Sequence, residues 1–565
     1  MTGTLRSSLV LLLLLAGGSS AFAQVEGPGS LRNLSEYSLK QFDLERMWSV
    51  QIATDVRFGG LAAITAYVSP SRSTTLYHVA SGDELLVTVS ELQLDAFGRK
   101  LGPEGARARA EKELAALQAA DPELKAEVTK RVVPQVTLYC MAKSGLVHAL
   151  DAETGATLWV RQFGSPTNPP HHPGVNDKYL AIANGNNVYV ADSQTGEILY
   201  ESALASLAGA GPAVSDQLVH IPLADGFLES HYLRQPEERI SRSHYRFRSI
   251  GQHDVQPIVL GSTMAWPSTR GYLYVGDANR NAVRYRLEGR DAIRAKPAFG
   301  AGNRILVGSV DGNLYCLQER SGTLEWRFTT GQPIIESPFV VGEDVYVTNE
   351  YGGIFSIDLT TGQERWWAPA VTRVISASPT RVYGIGDTGS VYVLDRASGG
   401  LVGTIPLLGD NVSFVNTLTD RIVLATQRGR VVSFRETSAT YPVVHAGDTV
   451  TTPADPAAQP GQKGQPGQNP AGGTPPATVD PFATPAGADP FAAPSGADPF
   501  GTTPPAGGAM PADPFATPPA GGAAPVDPFA TPPAGGAMPA DPFATPPAGG
   551  AAPGAGAIPN DPFAS

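Results

Sequence analysis

Two cysteines, six tryptophans and no long apolar stretch mark what this 565-residue chain lacks. The longest apolar run, Leu9 to Ala16, falls well short of the roughly 18 to 20 residues that span a bilayer. With Arg6 before it and Ala21-Phe22-Ala23 ahead of Gln24, it reads as a cleaved export signal over 1–23, followed by a lead-in over 24–44. No cysteine lies near that cut, so a lipid anchor at the new N-terminus has no acceptor. Cys140 and Cys316 fall in the first and fifth of the repeats described below. A closed ring holds those units further apart than the roughly 7 Å that a disulfide bridges, which makes both thiols small core residues. Clustered basic charge is scarce too: Lys and Arg number 41 against 53 Asp and Glu, a balance that gives no argument for nucleic acid or for adsorption to an anionic membrane.

Apolar bulk is missing from the last fifth of the chain. From Thr451 onward there are 29 of the 50 prolines, eight Asp, one Lys, and no Leu, Trp or Tyr. Such a segment cannot offset the entropy of ordering, so residues 437–565 are expected to form a disordered Pro/Gly/Ala-rich tail. It repeats Asp-Pro-Phe seven times, with rings at Phe482, Phe491, Phe500, Phe515, Phe529, Phe543 and Phe563. One ring per repeat on an extended chain is the format of a multivalent linear motif; the alternative is a spacer that reaches through an envelope layer.

What the chain does have is a period. The unit Gly145-Leu-Val-His-Ala-Leu-Asp151-Ala-Glu-Thr154-Gly155-Ala-Thr-Leu-Trp159 recurs from Asn186, Gly226, Gly271, Gly312, Gly352, Gly389 and Gly429. A step near 40 residues indicates stacked units. Each unit reads as strand, tight turn, strand, with period-two alternation and a turn residue tolerant of positive φ, Asn281 standing for Gly in the fourth. Upstream lies a second pair of strands entered at Pro173, Pro212, Pro257, Pro297, Pro338 and Pro379. Four strands per unit make a propeller blade. Asp151 and the turn glycines Gly155, Gly196, Gly322 and Gly362, with the aromatics Trp159, Tyr200, Tyr285, Trp326 and Trp366, are assigned to docking between blades. The seventh unit has Gly403 at the aromatic place, and the third loses the pattern after Gly226. The eighth lacks an outer strand, which Glu45 to Gln51 with Trp48 is expected to supply, closing the ring.

The expected architecture is therefore all-β: an eight-bladed, alternatively seven-bladed, β-propeller over 45–436. An insertion at about 70–131 is expected to hold a hairpin over Thr75 to Leu92 and a helix over Pro103 to Lys130, broken at Asp121-Pro122. That helix either offers a partner surface or is a plain surface helix.

The pattern Ala149-x-Asp151-x-x-Thr154-Gly155-x-x-x-Trp159 resembles the tryptophan-docking motif of the pyrroloquinoline quinone (PQQ) dehydrogenase propellers, over roughly 130–436. The same repeat builds the propeller lipoprotein of the outer-membrane β-barrel assembly machine, so the resemblance implies a fold and not a chemistry. Alcohol-oxidising members carry adjacent cysteines above the quinone, and Glu, Asn and Asp ligands for Ca²⁺. This chain has no adjacent cysteines and no Cys-x-x-Cys-His for haem. No cofactor is expected; PQQ with calcium belongs only to an oxidoreductase alternative, and a small-ligand-binding propeller is a third. His171-His172 lacks a third metal ligand in sequence. The one basic cluster, Arg239, Arg242, Arg246 and Arg248, suits a protein contact, against the plainer reading of a solvated loop. The function expected is that of a non-enzymatic bacterial scaffold, exported to the periplasm or envelope or secreted. Its partners would be envelope proteins, and it would have no integral membrane segment once the signal is removed.

Overall fold

Alternation of apolar and polar residues at period two dictates strands, and strands dominate the described residues. The computed structural model describes residues 36–445 apart from 83, 169, 235–242, 281 and 408–410. The export signal, most of the lead-in, Asn281, Arg239, Arg242 and every Asp-Pro-Phe motif lie outside those residues. Within them stand eight antiparallel sheets, seven of four strands and one of five.

The first sheet contains β2 (Leu61–Ser81), β3 (Glu84–Ser90), β4 (Glu127–Ala142), β5 (Leu146–Asp151) and β6 (Thr157–Gln162), in the order β3-β2-β4-β5-β6. Six four-stranded meanders follow, over 174–203, 213–248, 258–288, 298–329, 339–368 and 373–405. The eighth sheet is completed from the other end of the chain: β1 (Leu44–Gln51) pairs antiparallel with Arg430–Glu436, Trp48 standing opposite Ser433. Almost four hundred residues separate the two paired strands, so this pairing joins the first and last of the described strands.

The repeat's glycine and aromatic meet across neighbouring sheets. A Cβ on Gly196 would lie 2.6 Å from the Trp159 ring, one on Gly322 2.5 Å from Tyr285, and one on Gly362 2.5 Å from Trp326. Only a residue without a side chain lets the ring lie so close. Each aromatic then donates to the carbonyl three residues before that glycine: Trp159 to Ser193 at 3.2 Å, Tyr285 to Glu319 at 2.9 Å, Trp326 to Leu359 at 2.9 Å and Trp366 to Arg396 at 2.9 Å. Trp48 does the same from the eighth sheet to the first, covering Gly155 and donating to Ala152 at 2.8 Å. Asp151 shapes that turn, accepting from the Glu153 N–H and the Thr154 hydroxyl.

Three junctions are made differently. Tyr200 donates to Tyr232 at 2.7 Å, because the third sheet has no motif turn to receive it. The third sheet keeps an aromatic in place after all: Tyr245 stands opposite Ser230, as Trp326 stands opposite Cys316, but the long excursion before it hides the spacing. There the carbonyl of Ala278 is taken by the buried His220 at 2.8 Å. At Gly403 the ring is borrowed, since a Cβ there would lie 2.2 Å from Phe42.

The insertion corrects one boundary. Helix α1 (Glu36–Lys40) precedes β1, and helix α2 spans Gly102–Ala120, but the expected continuation to Lys130 is a turn and irregular segment over 121–126 and then strand from Glu127. Asp121-Pro122 stops the helix, and the β-branched Val128, Val132 and Val133 pair with Val79, Thr75 and Thr74 of β2. Strands β2 and β4 thus run unbroken out of the sheet and carry β3 and α2 with them. Ala106 and Ala110, both fully buried, seat the helix against Tyr77, Val79 and Val89.

Under the joint between first and eighth sheets lies a buried ion pair. Arg421, 2% exposed at its side chain, grips Glu153 through Nε–Oε1 at 3.1 Å and Nη2–Oε2 at 2.9 Å. It also donates to the carbonyl of Ala439 at 2.9 Å, so the segment after the last strand is fastened across the same joint.

Candidate interaction face

In a meander, turns one and three lie at one end of the sheet, and turn two and the connection to the next sheet lie at the other. The second end forms a face of its own. It carries the exposed apolar side chains that connections contribute: Phe58, Leu207 at 59% exposure, Ile250, Ile335 and Tyr351 at 77%. The other end is not free of them: Tyr37 of α1 is 74% exposed, and Ile198, Leu324 and Leu401 open the strands that follow third turns. Scattered surface apolars are ordinary; what sets the connection end apart is the groove that Ile250 lines.

Arg246 and Arg248, the described part of the basic cluster, end their strand at that face. The strand Ser243–Arg248 alternates, so Phe247 turns toward the fourth sheet while Arg246 and Arg248 lie over Phe227, at 4.4 and 5.8 Å from its centroid. Phe247 packs edge-on to Trp266 at 5.7 Å, and Trp266 stacks on Tyr274 at 5.6 Å. Trp266 donates to the Ser249 hydroxyl at 3.2 Å, and Tyr274 accepts the Ile250 N–H at 2.9 Å. Gln252 and Thr269 exchange two bonds, both 3.0 Å. These contacts fix the two walls of a groove of about 950 Å³, lined by Arg248 to Gln252 on one side and Thr269, Arg270 and Tyr272 on the other. Arg286 lies 4.6 Å from the Tyr272 centroid, at the rim.

The charged residues that line the groove are Arg248 and Arg270, and the Glu288 carboxylate stands beside it, accepting from the Tyr272 hydroxyl at 3.3 Å. Arg246 is neutralised by Asp225 at 3.6 Å and by the buried Glu229 at 3.3 Å, which also receives His231 at 2.6 Å. Burial works against the Glu229 anion, but the His231 hydrogen bond and the neighbouring positive charges hold its carboxyl below the ordinary range. Arg248, Arg270 and Arg286 have no such partner among the described residues. Guanidiniums beside the Tyr272 ring can take a planar anion bidentately and an aromatic ring on top.

Of the residues singled out in the sequence, Arg246 and Arg248 belong to this groove; Arg239, Arg242 and the seven phenylalanines lie outside the described residues. His171 bonds the carbonyl of Ala208 at 3.1 Å, and the carbonyl of His172 accepts from Gln256. Among the described residues no three His, Cys, Asp or Glu side chains converge to hold a metal. Cys140 and Cys316 are buried free thiols in different sheets. Arg270, Tyr272 and Ile250 escaped the sequence reading, because they become neighbours of the basic strand only when the third and fourth sheets pack. The alternation in His-Tyr-Arg-Phe-Arg was the one local sign.

The family described as outer membrane protein assembly factor BamB matches residues 143–241 and 263–458, just over half of the chain. Among curated relatives, the outer membrane protein assembly factor BamB of Yersinia pestis is 23% identical over 282 residues, 46% of this chain and 59% of that protein. Tetrathionate hydrolase of Acidithiobacillus ferrooxidans is 23% identical over 233 residues, 38% of this chain and 43% of that one. The chain thus spans under two thirds of the length of both. The crystal structure of BamB from Moraxella catarrhalis aligns with a TM-score of 0.45 and 13% identity, over 53% of this chain and 93% of that one. The computationally designed Ika8 protein aligns at 0.42 and 18% over the same shares. With its repeats, its four-stranded sheets and this match in view, the chain belongs to the family of the outer membrane protein assembly factor BamB.

Proposed function

We propose that this chain is an exported, non-enzymatic, eight-bladed propeller that works as a protein-interaction scaffold in the periplasm or cell envelope. The observation that carries the reading is the groove on the connection face, where Arg248 and Arg270 stand beside Ile250 and Tyr272, with Leu207, Ile335 and Tyr351 exposed elsewhere on that face. Apolar anchors with unpaired arginines are the composition of interface hot spots, where aromatic residues and Arg are enriched. Similarity to the Yersinia relative, an outer membrane protein assembly factor, favours envelope proteins as the partners.

The test is capture of envelope proteins on the full chain and on a variant carrying Leu207→Asp, Ile250→Asp and Tyr351→Asp. The variant is expected to lose the partners that the native chain retains. Equal recovery would put the contact surface elsewhere. Reconstitution with PQQ and Ca²⁺ is expected to yield no alcohol-dependent dye reduction, and turnover would refute the non-enzymatic reading.

A further inference from the structure

The arginine groove and the Asp-Pro-Phe repeats are complementary in charge and in shape. Of the ionisable side chains beyond Thr451, eight are Asp and one is Lys, and seven of those aspartates precede Pro-Phe. The groove offers the converse: Arg248 and Arg270 in its walls, Arg286 at its rim, no described carboxylate pairing with them, and Tyr272 and Ile250 as apolar surface. Its volume, about 950 Å³, lies in the range that accepts a few residues of peptide. Proline between the acid and the ring restricts the motif before it binds, which lowers the entropy lost on docking.

We propose that this groove binds the Asp-Pro-Phe motif of a second copy of the chain. The Asp carboxylate pairs with Arg248 and Arg270, and the Phe ring lies against Tyr272 and Ile250. The tail carries seven motifs, more than this groove takes at once. Surplus copies are what lets one tail engage several propellers, each contact weak and the set strong. The inference rests on the connection face being a contact surface, and adds that one of its partners is the protein itself.

Two measurements test it, both on the full-length chain. In the first, all seven phenylalanines are changed to Ser to remove competing motifs, and a fluorescent peptide of residues 513–521 is titrated in by anisotropy. Saturable binding is expected, weakened about tenfold or more by Arg248→Glu with Arg270→Glu, or by Asp513→Asn or Phe515→Ser in the peptide. Arg248→Gln with Arg270→Gln, melting like the parent, guards against misfolding. Absence of binding, or equal binding by the charge-reversed protein, overturns the proposal. In the second, sedimentation velocity of the native chain is expected to show concentration-dependent assembly that the seven-Ser and Arg→Glu chains lack. A native chain that stays monomeric at every concentration overturns it too. Envelope capture by the Arg248→Glu, Arg270→Glu chain, whose apolar anchors are intact, reports separately on the scaffold reading.

Discussion

Trp48 is the residue on which closure between the eighth and first sheets is most open to measurement. Its ring is 8% exposed, covers Gly155, and donates to the carbonyl of Ala152 at 2.8 Å. Trp48→Phe keeps most of the ring but leaves that buried carbonyl unpaired, a loss of about 1–3 kcal/mol. Trp48→Ala removes the ring as well and is expected to cost about 3–5 kcal/mol. Gly155→Ala attacks the same contact from the other side, since its Cβ would lie 2.6 Å from the Trp48 ring at a φ of +68°. The clash is worth about 1–3 kcal/mol, and the left-handed backbone about 1–2 more. In the double variant the clash vanishes and only the backbone term remains. Urea unfolding of the four proteins should therefore give a coupling of about 1–3 kcal/mol between the two sites. Additive effects would refute the contact. So would a Trp48→Ala chain no less stable than Leu401→Ala, whose side chain is 58% exposed and should cost about 0.5 kcal/mol or less.

Arg421→Met should cost about 3–5 kcal/mol in the same assay, because it strands the buried Glu153 carboxylate; a loss below that of a surface arginine would argue against the pairing. Two buried groups set opposite pH trends. Burial and the nearby Arg435 and Arg421 hold His78 at about 4 against an ordinary 6.5. Its contribution is full above about 6.5 and is lost as pH falls through 4, so His78→Gln should flatten the acid loss of stability. Burial raises Asp420 to about 6 from 3.8; its contribution is present below 3.8 and lost as pH rises through 6. Asp420→Asn should accordingly stabilise the chain at pH 7.5 more than at pH 4, and the reverse order would contradict the burial of that carboxyl. Burial also pushes both thiols, Cys140 and Cys316, up to about 12. Neither should react with a disulfide reagent at pH 8 until denaturant is added.

The docking rule was legible in the sequence because its chemistry is local: a turn needs Gly, and a ring needs a fixed distance from that turn. Trp159, Trp326 and Trp366 could be read off for that reason, and so could the strand around Trp48, since it repeats the motif's outer half. Exceptions were not legible. Phe42 stands in for a missing ring, and His220 takes the carbonyl bond of the Ala278 junction, from places in the chain that no spacing connects to them. Tyr245 stands in its proper place, but behind an excursion that broke the period. Helix was overextended past Asp121 because the Ala- and Glu-rich composition outweighed the valines that follow, whose partners on β2 lie some fifty residues earlier. The groove needed two sheets to exist at all: Arg248 was visible, whereas Arg270 became relevant only through the contact of Gly251 with its stem.

The pairing of β1 with Arg430–Glu436 also orders events in time. Synthesis makes Leu44–Gln51 first, yet its partner strand appears only after seven sheets have been made. Until then β1 is an open edge with its amides and carbonyls free, able to join whatever strand it meets. The last contact of the ring is thus the one with the longest wait and the greatest loop-closure penalty. A ribosome that delays residues near 430 would prolong the interval in which two half-made chains can trade first strands.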